Sequence, residues 1–120
     1  MANNYKRGDS DVRPWGTWEV LDCGATFCVK RIKVNPHAKL SLQLHHHRCE
    51  HWIIVKGEGL VTLGDAVYNK KTNDHIFIDV ETKHRIENAS DEPMEFIEVQ
   101  AGDNLDENDI VRLEDVYGRV

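Results

Sequence analysis

Gln43-Leu44-His45-His46-His47-Arg48-Cys49-Glu50-His51-Trp52 is the stretch whose reading decides the fold. It holds four of the chain's seven histidines and a glutamate. The residues before it, from Lys39 to Leu44, alternate as a strand does. Trp52 to Lys56 reads as a second strand and ends at Gly57-Glu58-Gly59. Side chains on a strand point alternately to opposite faces. If the first strand runs to residue 47, Gln43, His45 and His47 share one face, and Leu42, Leu44 and His46 share the other. The stretch then aims two imidazoles and an amide at one point, and Glu50 returns to it on the next strand. His51 opposes Glu50.

Imidazole and carboxylate are ordinary ligands for a divalent metal, and no thiolate cluster is present to build a closed structural site. His84, in Thr82-Lys83-His84-Arg85-Ile86-Glu87-Asn88, supplies a further ligand from a distant segment. The bland alternative is a polar surface strand or a tag-like run. The run is internal, however, and apolar residues alternate on either side of it.

At 120 residues the chain reads as one domain. Its net charge of −6 lacks the basic footprint of a nucleic-acid binder. No apolar run reaches the ~18 residues of a membrane span, and the opening residues lack the apolar core of a secretory signal. The three cysteines, Cys23, Cys28 and Cys49, form no Cys-x-x-Cys pair and read as reduced thiols. These features together lead to a cytoplasmic expectation.

Outward from the histidine stretch, β-like runs recur about every 8–12 residues, which is the pattern of an all-β sandwich or barrel. In Phe27–Val34, Cys28, Lys30, Ile32 and Val34 oppose Phe27, Val29, Arg31 and Lys33. Gly64-Asp65 marks a tight hairpin. Residues 1–12 are polar and read as a flexible arm, with the domain over residues 13–120. In the tail, Ile110, Leu113 and Tyr117 lie at helical spacing, which predicts a short C-terminal helical turn.

The order of a histidine-rich strand, Glu50 seven residues before Gly57, and a distant His84-x-x-x-Asn88 resembles the cupin superfamily. The likeness extends to Arg13-Pro14-Trp15-Gly16, Ile97–Gln100, Asp109–Arg112 and Tyr117-Gly118-Arg119. Over residues 13–119 the chain is similar to type II mannose-6-phosphate isomerase, whose cupin is commonly the C-terminal half of an enzyme that also carries a mannose-1-phosphate guanylyltransferase. The resemblance implies a single-domain cupin jelly roll (a double-stranded β-helix). It implies a divalent metal: zinc first, with manganese, cobalt, nickel or iron as alternatives. It also implies interconversion of mannose 6-phosphate and fructose 6-phosphate. Two turns depart from the pattern. His37 follows Pro36 where the family has glycine, and Asp79-Val80-Glu81 stands where it has Pro-x-Gly.

The cupin spacing gives one ligand set as Gln43, His45, Glu50 and His84. A bulged strand gives another, His45, His47, Glu50 and His84. For an isomerase, the catalytic candidates are His47 and Glu98 as proton-shuttling bases and Lys83 beside the ligand His84. Arg13, Arg31, Arg48 and Arg85 are the candidate cations for a sugar phosphate. Two rival readings are another metal-dependent cupin enzyme and a metal- or sugar-phosphate-binding module that associates with a separate guanylyltransferase. Pairing of exposed sheet edges predicts a homodimer.

Overall fold

The computed structural model describes residues 2–3 and 5–119. The strands are β1 (Ala2–Asn3), β2 (Ser10–Arg13), β3 (Gly16–Cys23), β4 (Phe27–Val34), β5 (Leu42–Leu44), β6 (Cys49–Lys56) and β7 (Glu58–Leu63). They continue as β8 (Ala66–Lys71), β9 (His75–Ile78), β10 (His84–Glu87), β11 (Met94–Ala101), β12 (Asn104–Leu105) and β13 (Val111–Glu114). One sheet has the order β2-β3-β4-β11-β6-β9, and the other β13-β5-β10-β7-β8. β1 and β12 form a short parallel pair. Consecutive strands such as β5 and β6 lie in different sheets, so the chain winds around one core as a cupin jelly roll.

The inward rows explain where the site lies. Met94, Phe96, Glu98 and Gln100 of β11 all point inward by strand alternation and are buried. Across the ladder, Phe96 faces Ile32 and Ile54, Glu98 faces Lys30 and Trp52, and Gln100 faces Glu50. One end of the interior is therefore apolar, where the rings of Trp52 and Phe96 lie 4.7 Å apart. The other end is polar. Every core-facing position at that end must find partners, because buried polar groups without them are costly.

Two turns fix the frame. Gly57 sits at φ +80, where a Cβ would press on the Met94 Cβ at 3.2 Å. Gly64, at φ +59, opens the two-residue turn between β7 and β8, as the sequence predicts.

Two sequence expectations are corrected. No helix occurs among the described residues. In place of the C-terminal helical turn, β13 pairs with β5, Val111 opposite Leu44 and Arg112 opposite Gln43. The free edge of β5 offers backbone partners that a one-turn helix cannot match. The segment expected as an arm contributes β1 and most of β2. β2 pairs with β3, and buried Tyr5 meets Trp18 edge-to-face at 5.9 Å. The histidine strand stops at Leu44 instead of running to residue 47. Asp109 explains this, since its carboxylate accepts bonds from the amides of His46 (3.0 Å) and His47 (2.9 Å) and holds them in a bend. The three cysteines are free thiols. Among the described residues, no helix is long and apolar enough to cross a membrane.

Candidate metal and anion site

His84 starts β10, directly opposite Gln43 of β5 and Leu63 of β7. Glu50 stands at the inner start of β6. His45 follows β5, just before the bend that Asp109 enforces. These positions bring His45, Glu50 and His84 together, with one ligand atom from each within 4.8 Å of the others. All three are buried, at 3%, 1% and 0% exposure.

The hydrogen bonds set the tautomers. His84 Nδ1 donates to the Thr82 carbonyl at 2.9 Å, and His45 Nδ1 donates to the Asp109 carbonyl at 2.6 Å. Each ring thereby presents Nε2 as a lone pair, the arrangement that backbone carbonyls impose on metal-binding histidines. His84 Nε2 is buried with no hydrogen-bond partner and faces Glu50 Oε1 at 3.9 Å. His45 Nε2 faces Glu50 Oε2 at 3.3 Å. Burial pushes the His45 imidazolium down to about 4, so the ring is neutral near pH 7. Two imidazoles and a carboxylate are a donor set that fits a divalent ion. Gln43 lines the same cavity, and its Oε1 accepts from Ser41 at 3.1 Å.

Arg48 enters from the chain between His47 and Glu50. Its Nη2 lies 2.8 Å from Glu50 Oε2 and 3.3 Å from His45 Nε2. Burial alone would raise the Glu50 pKa. The Arg48 guanidinium, with His45, His84 and a hydrogen bond from Glu98, together more than offsets this and holds Glu50 ionised. Glu98 is pushed the other way, first by burial and then by the charge of Glu50. Trp52 Nε1 donates to both carboxylates at 3.0 Å, and Gln100 Nε2 donates to Glu98 at 2.8 Å.

Beside this centre opens a cavity of about 270 Å³. Arg13, Lys30, Arg48, Arg112 and Arg119 line it, with His45, Gln43 and Glu98 on its inner wall. Lys30 Nζ lies 3.8 Å from the Tyr5 ring centroid and 4.4 Å from that of Trp18.

The structure separates the sequence candidates. Gln43, His45, Arg48, Glu98 and Arg13 border the cavity, and Glu50 and His84 lie behind it. His47 is exposed on the bend, away from the His45–Glu50–His84 cluster. Lys83 lies just before β10, partly exposed, and its Nζ meets Asp65 at 3.0 Å. Arg85 points away from the interior and bonds the Leu40 carbonyl and Glu114. Arg31 lies on the outer face of β4, 3.3 Å from Glu19. Asn88, the last residue of the second motif, is a structural amide. Its Nδ2 donates to the carbonyls of Val34, Asn35 and Glu92 and ties three segments together.

Sequence reasoning missed Lys30, Arg112, Arg119 and Asp109. Lys30 carried a signal, as a cation on the same strand face as Cys28, Ile32 and Val34. The other three depended on knowing that the tail folds back along β5.

A family profile described as "Mannose-6-phosphate isomerase C-terminal" matches residues 2–115. The chain is 52% identical over 107 residues to the xanthan biosynthesis protein XanB of Xanthomonas campestris pv. campestris strain B100, covering 89% of this chain and 23% of that protein. It is 45% identical over 108 residues to the mannose-1-phosphate guanylyltransferase ManC of Salmonella typhimurium strain LT2, covering 90% of this chain and 22% of that protein. The chain thus spans less than a quarter of either relative. A double-stranded β-helix domain protein from Klebsiella pneumoniae shares the fold, with a TM-score of 0.74, 22% identity, and coverage of 87% and 91% of the two chains.

These names correct the activity inferred from the resemblance. A chain that isomerises mannose 6-phosphate by itself is not what they support, because the relatives that align to it are named for guanylyl transfer and polysaccharide biosynthesis. The catalytic roles given to His47, Glu98 and Lys83 depended on that activity. By fold, motif and profile, the chain belongs to the family described as mannose-6-phosphate isomerase C-terminal.

Proposed function

We propose that the chain is a non-catalytic cupin module that binds a divalent metal and a sugar phosphate, and that it acts in association with a guanylyltransferase in the cytoplasm. The single observation that supports this reading most is the buried Nε2 of His84, an unpartnered lone pair beside Glu50 and His45. A buried acceptor without a partner is costly unless something is bound there.

His45, Glu50 and His84 would hold the ion, with Gln43 as a fourth donor. Two nitrogens and one or two oxygens suit zinc first, then manganese, cobalt, nickel or iron. The ion would supply a fixed positive point for a sugar oxygen. The cationic wall of the cavity would take the phosphate. Ile53, Val55 and Phe77 are exposed on the outer face of the six-stranded sheet, which supports pairing of two copies or docking on the transferase.

Calorimetric titration of the metal-loaded chain with mannose 6-phosphate tests the module directly. Saturable binding without turnover is expected. A folded, metal-loaded chain that binds no sugar phosphate would contradict it.

A further inference from the structure

We infer that Arg13, Arg112 and Arg119 form a binding site for a phosphate monoester, and that the C-terminal segment from Asp109 onward builds it. The inference rests on the sugar-phosphate reading and gives that site its anion-holding residues.

The chain carries a net charge of −6, yet five cationic side chains line one small cavity. Carboxylates pair with three of them, Asp11 with Arg13, Glu50 with Arg48 and Asp115 with Arg119, whereas Arg112 and Lys30 have no ion pair among the described residues. Arg112 Nε is buried and has no hydrogen-bond partner. An unmade bond to a charged donor costs more than a neutral one, and a phosphate oxygen would satisfy it. Burial, and then the like charge of Arg119, push the Arg112 guanidinium below its ordinary value, with Arg13 adding to the effect.

The other two arginines are held in place by neighbours. The Arg119 amide and Nε donate to Asp115 Oδ2 at 2.8 and 2.7 Å, and its Nη2 donates to Oδ1 at 3.0 Å. These bonds from Arg119 hold the Asp115 carboxyl at about 2, so the anchor stays charged at any ordinary pH. Arg13 pairs with Asp11 at 2.8 Å and lies 6.0 Å from the Trp18 ring centroid. Two carboxyls also line the cavity. Glu98 accepts hydrogen bonds from Trp52 and Gln100, and Glu107 is exposed at the rim.

Register gives the distance between the two ends of the site. Arg112 pairs with Gln43, and Gln43 pairs with His84. Two strand spacings separate the Arg112 and His84 backbones by about 10 Å. One ligand can therefore present a phosphate to the arginines and a sugar oxygen to the histidine end. A cavity of about 270 Å³ lies at the small end of ligand pockets, which suits a monosaccharide phosphate better than a nucleotide sugar.

The test is calorimetry on the full, metal-loaded chain with mannose 6-phosphate, mannose and inorganic phosphate. Arg112→Met and Arg119→Met are compared with the unaltered chain, and metal content and Tm serve as folding controls. Arg112→Met is expected to fold at least as well, because it removes a buried guanidinium nitrogen that has no hydrogen-bond partner. Both variants should keep their metal and bind mannose 6-phosphate at least about tenfold more weakly. Wild-type affinity in both variants would overturn the arginine site and leave the module reading intact. Inorganic phosphate binding as tightly as mannose 6-phosphate would overturn the monoester assignment. Failure of the unaltered chain to bind either phosphate would overturn the module reading as well.

Discussion

Arg48 Nη2 stands 2.8 Å from Glu50 Oε2, and Arg48 Nε donates to the same oxygen at 2.9 Å. Both side chains are nearly fully buried, so this ion pair lies inside the barrel, and a metal at His45, Glu50 and His84 would share its carboxylate. Removing one partner of a buried pair leaves the other charge uncompensated and typically costs about 3–5 kcal/mol. Arg48→Met should therefore lower stability by about 3 kcal/mol in chelator. Added zinc returns a positive charge to Glu50, so it should raise the Tm of the variant more than that of the unaltered chain. Thermal melts with and without zinc read this out, and an equal zinc response in both proteins would refute it.

His37 and Glu81 occupy the two turns that depart from the family pattern, and both are left-handed, at φ +61 and +60. The backbone has kept the glycine conformation without the glycine. A residue with a Cβ pays about 1–2 kcal/mol for that geometry. Each side chain has a polar partner, Asp91 for His37 and His46 for Glu81, but these pairs are exposed and worth little. After the greater chain entropy of unfolded glycine is allowed for, His37→Gly and Glu81→Gly should each stabilise the fold by about 0.5–1 kcal/mol. Urea midpoints measure the change, and a loss of stability in both variants would contradict the strain argument.

Glu98 gives a pH signature. Burial, and then the charge of Glu50, raise its folded pKa to about 8, above the unfolded value. A raised carboxyl contributes stability that is fully present below the unfolded pKa and is lost as pH rises toward the folded pKa. Glu98→Gln mimics the protonated form and removes that loss. The amide also suits the surroundings, because a flip of the Gln100 amide turns its partnerless Oε1 toward position 98 as an acceptor. In chelator, the variant should gain on the unaltered chain between pH 5 and pH 8, by about 2 kcal/mol at the upper end. Denaturant titrations at the two pH values decide it, and a gain that shrinks as pH rises would reverse the assignment.

Much of the barrel was legible because its strands alternate. The Phe27–Val34 pattern placed Lys30, Ile32 and Val34 on one face, and all three are buried inside. Gly64 marked its hairpin, and the spacing from Glu50 to Gly57 marked β6 and its turn. What could not be read depended on contacts between distant segments. His47 fits the strand face until Asp109, 62 residues later, bends the backbone beneath it. Ile110, Leu113 and Tyr117 keep a helical spacing that loses to the open edge of β5. Arg112 and Arg119 enter the cavity only because that edge is taken. Lys83 and Arg85 flank His84 in sequence, but their side chains pair elsewhere, with Asp65 and Glu114.

The most direct test of the account is metal binding by the purified chain and by three alanine variants, measured as metal content and by zinc titration. The account predicts one tightly bound ion per chain, its loss in His45→Ala and His84→Ala, and full retention in His47→Ala. A wild-type zinc affinity in His84→Ala, with the fold intact, would contradict it.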